Sequence, residues 1–419
     1  MKDLSEQNGS RVSATVLDGG LRVVLVPCEA ESVAVGVFVA SGSRHETAKV
    51  AGISHFIEHM LFKGTPTRRP VDITRAIEGR GGNFNAMTGE EATCYFAHLP
   101  DECLDEAVDI LSDMYLRATI PVDEFEREKR VVIEEIKMYA DEPDSVAMEN
   151  LQRNLFPRST LGAPVVGSVK SLSPMTNEDL RRYVKSHYRA DNTVVVVAGR
   201  FDGPKALALV ERSFAPLGSR RSARKARPAP PSFGRVVPSA TARRDVQQTQ
   251  LAIGYRTFGI GDRRRYAATV LDAILGRGMS SRLFQEVREK RGLSYDISSR
   301  MQFFKDAGMF TVTAGLDGAK AKLALETVER ELRKVCEKKV SAAELRRTKE
   351  FLVGNFRLSH ERVTSKLFFY GQTMLAFGRL VPPEEQVAGI KAVTAEDVQS
   401  AARAIFKSSN RSISWVVPK

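Results

Sequence analysis

Two parts of this chain run through the same succession of elements, and that repetition constrains the fold more than any composition figure does. In the first part, strand-like stretches at 20–26 and 32–39 precede an amphipathic helix that starts near Gly52. In the second, a strand-like stretch at 248–255 precedes a helix that starts near Arg265. The agreement continues downstream. A helix over 106–116 leads through Ile120 and Pro121 to another helix, with Asp123 as its expected N-cap and Val131 to Ile136 inside it. Its counterpart over 323–335 leads to Ser341, with Glu344 three residues on in the spacing of a capping box, and then to a helix through 345–353. Duplication of one unit accounts for the pattern. Strands and helices interleave without the strict alternation of a doubly wound sheet. Each half is therefore expected to be an α+β sandwich, with a mainly antiparallel sheet packed against helices.

Between the two parts lies 219–245, which holds eight arginines and lysines against one acid, together with Pro228, Pro230, Pro231, Gly234 and Pro238. That composition resists both helix and sheet, so 219–245 reads as a linker between domains at 1–218 and 246–419. It also supplies more than half of the net charge of +12. The basicity is thus mostly a linker property, and nucleic acid is not an expected partner. With 42% hydrophobic and 27% charged residues the chain is composed like a folded globular protein, which excludes a disordered polyelectrolyte. The longest apolar runs, such as 193–198, are strand-sized, and no signal peptide or membrane span is expected. Cys28, Cys94, Cys103 and Cys336 show no C-x-x-C spacing, which argues against a cysteine zinc site or a disulfide scaffold and fits a cytoplasmic setting.

The segment 51–65, AGISHFIEHMLFKGT, carries the chemistry. On a helix, His55 and His59 project from one face one turn apart, close enough for two imidazoles to reach one metal ion. Glu58 lies beside them in the pattern H-x-x-E-H, placed to act as general base on water without being a ligand. Chance gives this pattern ~0.006 times in a chain with so few histidines. A catalytic zinc needs a third protein ligand. The helix FEREKRVVIEEIKMY offers Glu128 and Glu135 on one face, with Glu134 turned about 100° away, and spacing alone does not choose among them.

Taken together, GSRHE at 42–46, HFIEHMLFKGTP at 55–66 and FEREKRVVIEEIKM at 125–138 resemble the pitrilysin and insulinase peptidases, family M16, in the short-chain branch that includes the mitochondrial processing peptidase. The resemblance covers nearly the whole chain. In that family the third zinc ligand follows the second histidine by 76 positions, which implies Glu135 here, and Glu128 matches a glutamate that supports the site. It further implies one Zn2+ per chain. The segment 82–95 reads as strand with a turn at 88–90, and its family equivalent adds a substrate peptide as an extra strand, with Asn85 and the adjoining Ala86 on the substrate backbone. Arg288 and Tyr295 match a family pair that binds substrate and stabilises the oxyanion. From the residues alone, Arg288 reads as a surface residue of a helix and Tyr295 as a core aromatic.

The resemblance implies a zinc-dependent metalloendopeptidase acting on peptides or unfolded segments. No histidine occurs around 272–275, where the second half would repeat the motif, so one metal site per chain is expected. Because one chain carries both the metal motif and the Arg288 and Tyr295 pair, the resemblance implies a homodimer with two composite sites. A heterodimer is the family's other arrangement, and a non-catalytic structural or partner subunit is the alternative function.

Overall fold

The computed structural model describes residues 2–3, 12–219 and 233–419. About half of the stretch expected as a linker, 220–232, lies outside these residues. Its last part does not behave as a linker, because Ser239–Arg244 forms a strand.

The described residues build two sheets, and the sheets repeat one topology. In the first, Arg22–Pro27, Thr193–Gly199, Ser32–Val39, Thr93–Pro100 and Asn83–Thr88 lie side by side in that order, extended beyond Arg22–Pro27 by Ser13–Val16 and Lys2–Asp3. In the second, the order is Ser239–Arg244, Arg411–Pro418, Thr249–Thr257, Gly308–Leu316 and Ser294–Phe303. Numbered along the chain within each five-strand set, both read 1-5-2-4-3. In both, the first and last strands are paired parallel and the other neighbours antiparallel. The sandwich with a mainly antiparallel sheet is therefore present twice, as expected from the repeated pattern.

Packing explains which segments become central strands. Thr193–Gly199 has no polar alternation because both its faces are covered. Val195 and Val197 join a core with the helices Ile53–Leu61, Leu104–Arg117 and Gly203–Phe214, while Val194, Val196 and Ala198 face Val363, Leu367 and Met374 of the helix Val363–Phe377. The second sheet is covered in the same manner. Ile253 and Tyr255 of Thr249–Thr257 pack with residues of Arg265–Gly276, Ala321–Glu337 and Ala395–Ile405, and Ala252 packs with Leu151 and Leu155 of Pro143–Leu155. Gly36 and Gly254 sit in equivalent strands where the covering helix comes close: a Cβ there would meet Leu367 at 3.1 Å and Leu155 at 2.8 Å respectively.

The chain divides into two compact units, and neither is a continuous run of sequence. The segment Lys137–Ala163, from the first half, belongs with the second sheet, and Leu358–Val381, from the second half, belongs with the first. Division at the linker alone misses this exchange.

Two cap expectations change. Asp123 is not an N-cap; it lies in the first turn of the helix Val122–Asp141, where its charge still suits the helix dipole. Ser341 does accept the Glu344 backbone N–H at 3.2 Å, but the Glu344 carboxylate is engaged by Arg282 at 2.7 and 2.8 Å. Among the described residues no helix is long and apolar enough to cross a membrane.

Candidate metal centre

The helix Ile53–Leu61 begins at Gly52, whose φ of 92° is left-handed and whose Cβ position lies 2.6 Å from the Val166 carbonyl oxygen, so only glycine fits. A glycine cannot cap the helix with a side chain. The buried Glu46 does so, accepting the Gly52 N–H at 2.7 Å and the Ser54 N–H at 2.8 Å through its two carboxylate oxygens. Ser54 is tied in turn to the Tyr183 hydroxyl, which also bonds Ser41. Burial pushes the Glu46 carboxyl up even though the backbone N–H groups of Ser54 and Gly52 oppose it.

This fixed helix presents His55 and His59 one turn apart, with ring centroids separated by 4.7 Å. The long helix Val122–Asp141 brings Glu135 to them: its Oε2 lies 3.7 Å from His55 Nε2 and 3.6 Å from His59 Nε2. One donor atom from each of the three residues falls within 4.8 Å of the others. Tetrahedral ligands at about 2.0–2.1 Å from a zinc ion stand roughly 3.4 Å apart, so two nitrogens and one oxygen at these spacings suit that ion. Burial, and next the neighbouring His59, pull the His55 imidazole down to about 4, which keeps it neutral and able to ligate at physiological pH.

Glu128 does not join the three. It sits two turns before Glu135, 6% exposed, and accepts from His59 Nδ1 at 3.0 Å and from the Lys63 ammonium at 2.5 Å. Burial works against its charge, but the His59 and Lys63 hydrogen bonds prevail and hold the carboxyl below its ordinary range. Glu134, which spacing also left open, is not among the three clustered residues.

Glu58 lies on the same helix, its Oε2 accepting a hydrogen bond from the Thr88 hydroxyl. Burial raises its pKa; the Thr88 bond and the nearby His59 pull the other way. Thr88 ends the strand Asn83–Thr88, which lies at the edge of the first sheet and returns through a turn to Thr93–Pro100. Phe84 of that strand packs against Phe62 at the helix end, ring centroids 5.4 Å apart, so the open edge runs beside the metal helix. Asn85 is exposed there, and its amide oxygen accepts the Ala86 N–H at 2.8 Å.

Arg288 and Tyr295 belong to the second unit. The Arg288 guanidinium is sandwiched between the rings of Phe284 and Tyr295, 4.7 Å from each centroid. Tyr295 is 81% exposed, which overturns its reading as a core aromatic. It is the second residue of Ser294–Phe303, the strand that occupies in the second sheet the edge place held by Asn83–Thr88 in the first. In the helix equivalent to the metal helix, Arg265–Gly276, the buried Asp272 is neutralised by Arg277 and bonded by Ser299.

Glu46, Lys63 and Thr88 escape a reading of the motif. Lys63 alone left a trace, since it follows His59 by four residues and so falls on the same side of the helix.

The family profile described as "Insulinase (Peptidase family M16)" matches 22–169, and that described as "Peptidase M16 inactive domain" matches 174–352. The "Uncharacterized zinc protease YmxG" of Bacillus subtilis is 36% identical over 388 residues, 92% of this chain and 94% of that protein. An "Uncharacterized zinc protease" of Mycobacterium leprae is 39% identical over 400 residues, covering 94% of this chain and 89% of its own. The crystal structure of a protease from Helicobacter pylori superposes with a TM-score of 0.92 at 22% identity, covering 98% of this chain and all of that one, a likeness of fold. The doubled sandwich and the two matched profiles place the protein in the class of the M16 peptidases. The chain belongs to peptidase family M16, in its short-chain form.

Proposed function

We propose that this protein is a zinc-dependent endopeptidase, and the observation that carries the reading is the convergence of His55, His59 and Glu135 from two helices, with Glu58 on one of them. The three residues would hold the ion. Bound there, zinc would supply Lewis-acid polarisation of a peptide carbonyl and lower the pKa of water.

The remaining work falls to side chains of this chain. Thr88 holds Glu58 Oε2, which leaves Oε1 to take the proton of the attacking water and return it to the departing amine. The open edge at Asn83–Thr88 aligns an extended peptide as an added strand, with Asn85 and Ala86 meeting its backbone. Such pairing demands an unfolded segment, which sets the substrate class. Arg288, held between two rings and beside the exposed Tyr295, supplies positive charge and a hydroxyl suited to a developing oxyanion. The chain carries both sets of residues, which supports a homodimer whose sites each draw on two copies.

The test is mass spectrometry of a mixed peptide pool incubated with wild-type protein and with Glu58→Gln, zinc content measured for both. Cleavage by wild type alone, with zinc in both, supports the reading. Absence of cleavage by either, with zinc bound to both, favours a non-catalytic subunit.

A further inference from the structure

The two metal-cluster histidines are held in different ways. His55 is 8% exposed and its Nδ1 is buried without a hydrogen-bond partner among the described residues, so packing alone orients that ring. The other ring, that of His59, is oriented by a chain of side chains. Glu128 Oε1 accepts from His59 Nδ1 at 3.0 Å, and Glu128 Oε2 is gripped by the Lys63 ammonium at 2.5 Å.

Lys63 stands just beyond the end of the helix that carries both histidines. Its backbone N–H bonds the Met60 carbonyl at 3.1 Å, a tightened last turn that sends its side chain back toward Glu128. The Glu128 side chain is 8% exposed and that of Lys63 25%, so water competes weakly for their contact. One oxygen of Glu128 is thereby reserved for Lys63 and the other for His59. A carboxylate that can only accept forces the proton of His59 onto Nδ1, leaving the Nε2 lone pair on the side of Glu135.

We propose that Lys63 is a positioning residue for metal binding: by anchoring Glu128, it fixes the orientation and tautomer of His59 so that Nε2 is presented beside Glu135. The proposal rests on the zinc-centre reading above. It concerns affinity for the ion and asks nothing of catalysis directly, because Lys63 acts through Glu128.

The experiment measures the zinc dissociation constant of the full chain by competition with a chelating dye, for wild type, Lys63→Met, Lys63→Gln, Lys63→Arg, Glu128→Gln and the Lys63→Met/Glu128→Gln pair. Folding is checked by circular dichroism. Loss of a residue that orients a ligand weakens binding by about 10- to 100-fold, and Lys63→Met and Lys63→Gln should each fall in that range, with Lys63→Arg recovering most of the loss. In the double variant the Lys63 change should add nothing to Glu128→Gln, since its route to the metal is already cut. Unchanged affinity in folded Lys63→Met or Lys63→Gln overturns the proposal, as does a double variant whose losses multiply. Wild type without tight zinc would instead sink the zinc-centre reading itself.

Discussion

Glu46 caps the metal helix from outside it, its two carboxylate oxygens accepting the N–H groups of Gly52 and Ser54 at 2.7 and 2.8 Å. The capped Ser54 N–H stands one residue before His55, so a frayed first turn moves a ligand. Glu46→Gln, which can accept at only one of the two oxygens, should lower stability by about 1–2 kcal/mol and weaken zinc binding together. Thermal denaturation with and without zinc checks this; lost stability with unaltered zinc affinity would confine Glu46 to holding the fold.

Asp113 ties the turn after the metal helix to the helix Leu104–Arg117. It is 2% exposed and accepts from Thr65 at 2.7 Å, Thr67 at 3.1 Å, Arg68 at 2.5 Å and Arg117 at 2.6 Å. Burial opposes its charge, yet these bonds hold its carboxyl below the ordinary value. A carboxyl depressed by folding contributes stability that is complete above its unfolded value, about 3.9, and fades as pH falls through the folded one. Asp113→Asn should therefore lose about 1–3 kcal/mol near neutrality, because an amide replaces the buried charged acceptor shared by Thr65, Arg68 and Arg117. In urea denaturation the gap between wild type and variant should narrow below roughly pH 4; a gap indifferent to pH would point to shape instead of charge.

Two glycines on helices of similar kind should respond oppositely to alanine. At Gly371, in Val363–Phe377, the added methyl would meet the Phe38 ring at 2.4 Å, whereas at Gly354, in Ala342–Ser359, it meets nothing within 4 Å. Gly371→Ala should lose about 1–3 kcal/mol by overpacking. Gly354→Ala should gain about 0.5–1 kcal/mol from helix propensity. Chemical denaturation of both settles it, and equal effects would contradict the close approach of helix and sheet.

The proposed composite sites make a prediction that single variants do not. Glu58→Gln and Arg288→Ala should each be inactive, but mixed in equal amounts and allowed to exchange they should recover about a quarter of wild-type turnover, because half the dimers pair them and each such dimer has one intact site. Activity that stays absent after verified exchange would place both residues in one chain's own site.

Much of this architecture is legible in the amino-acid order, for physical reasons that differ by element. The repeated strands and helices announce themselves because burial imposes a period, as in Leu104–Arg117, or an unbroken apolar run where both faces are covered, as in Thr193–Gly199. Ser239–Arg244 does not. Its residues, SATARR, are largely exposed, and it holds its place by backbone pairing to Arg411–Pro418 at the sheet's margin, which leaves no hydrophobic signature. At the metal cluster, periodicity narrows the third ligand to a helix face, but the choice of Glu135 over Glu128 depends on how two helices cross, and the resemblance supplied what spacing could not. Thr88 serves a partner thirty residues away and Glu46 caps across a loop, so no periodic pattern marks them, while the spacing of Lys63 from His59 says nothing of its partner Glu128.

The crossed assignment of Pro143–Leu155 and Val363–Phe377 has a consequence for heredity as well as for folding. A half-gene cut at the midpoint would encode a sheet with one bare apolar face and a helix with nothing to cover, so neither product could persist as an autonomous module. Supplied together, the two fragments carry complementary lids and should rescue one another. The two sandwiches, alike in topology, are in this way interdependent: each half of the chain carries the lid that completes the other.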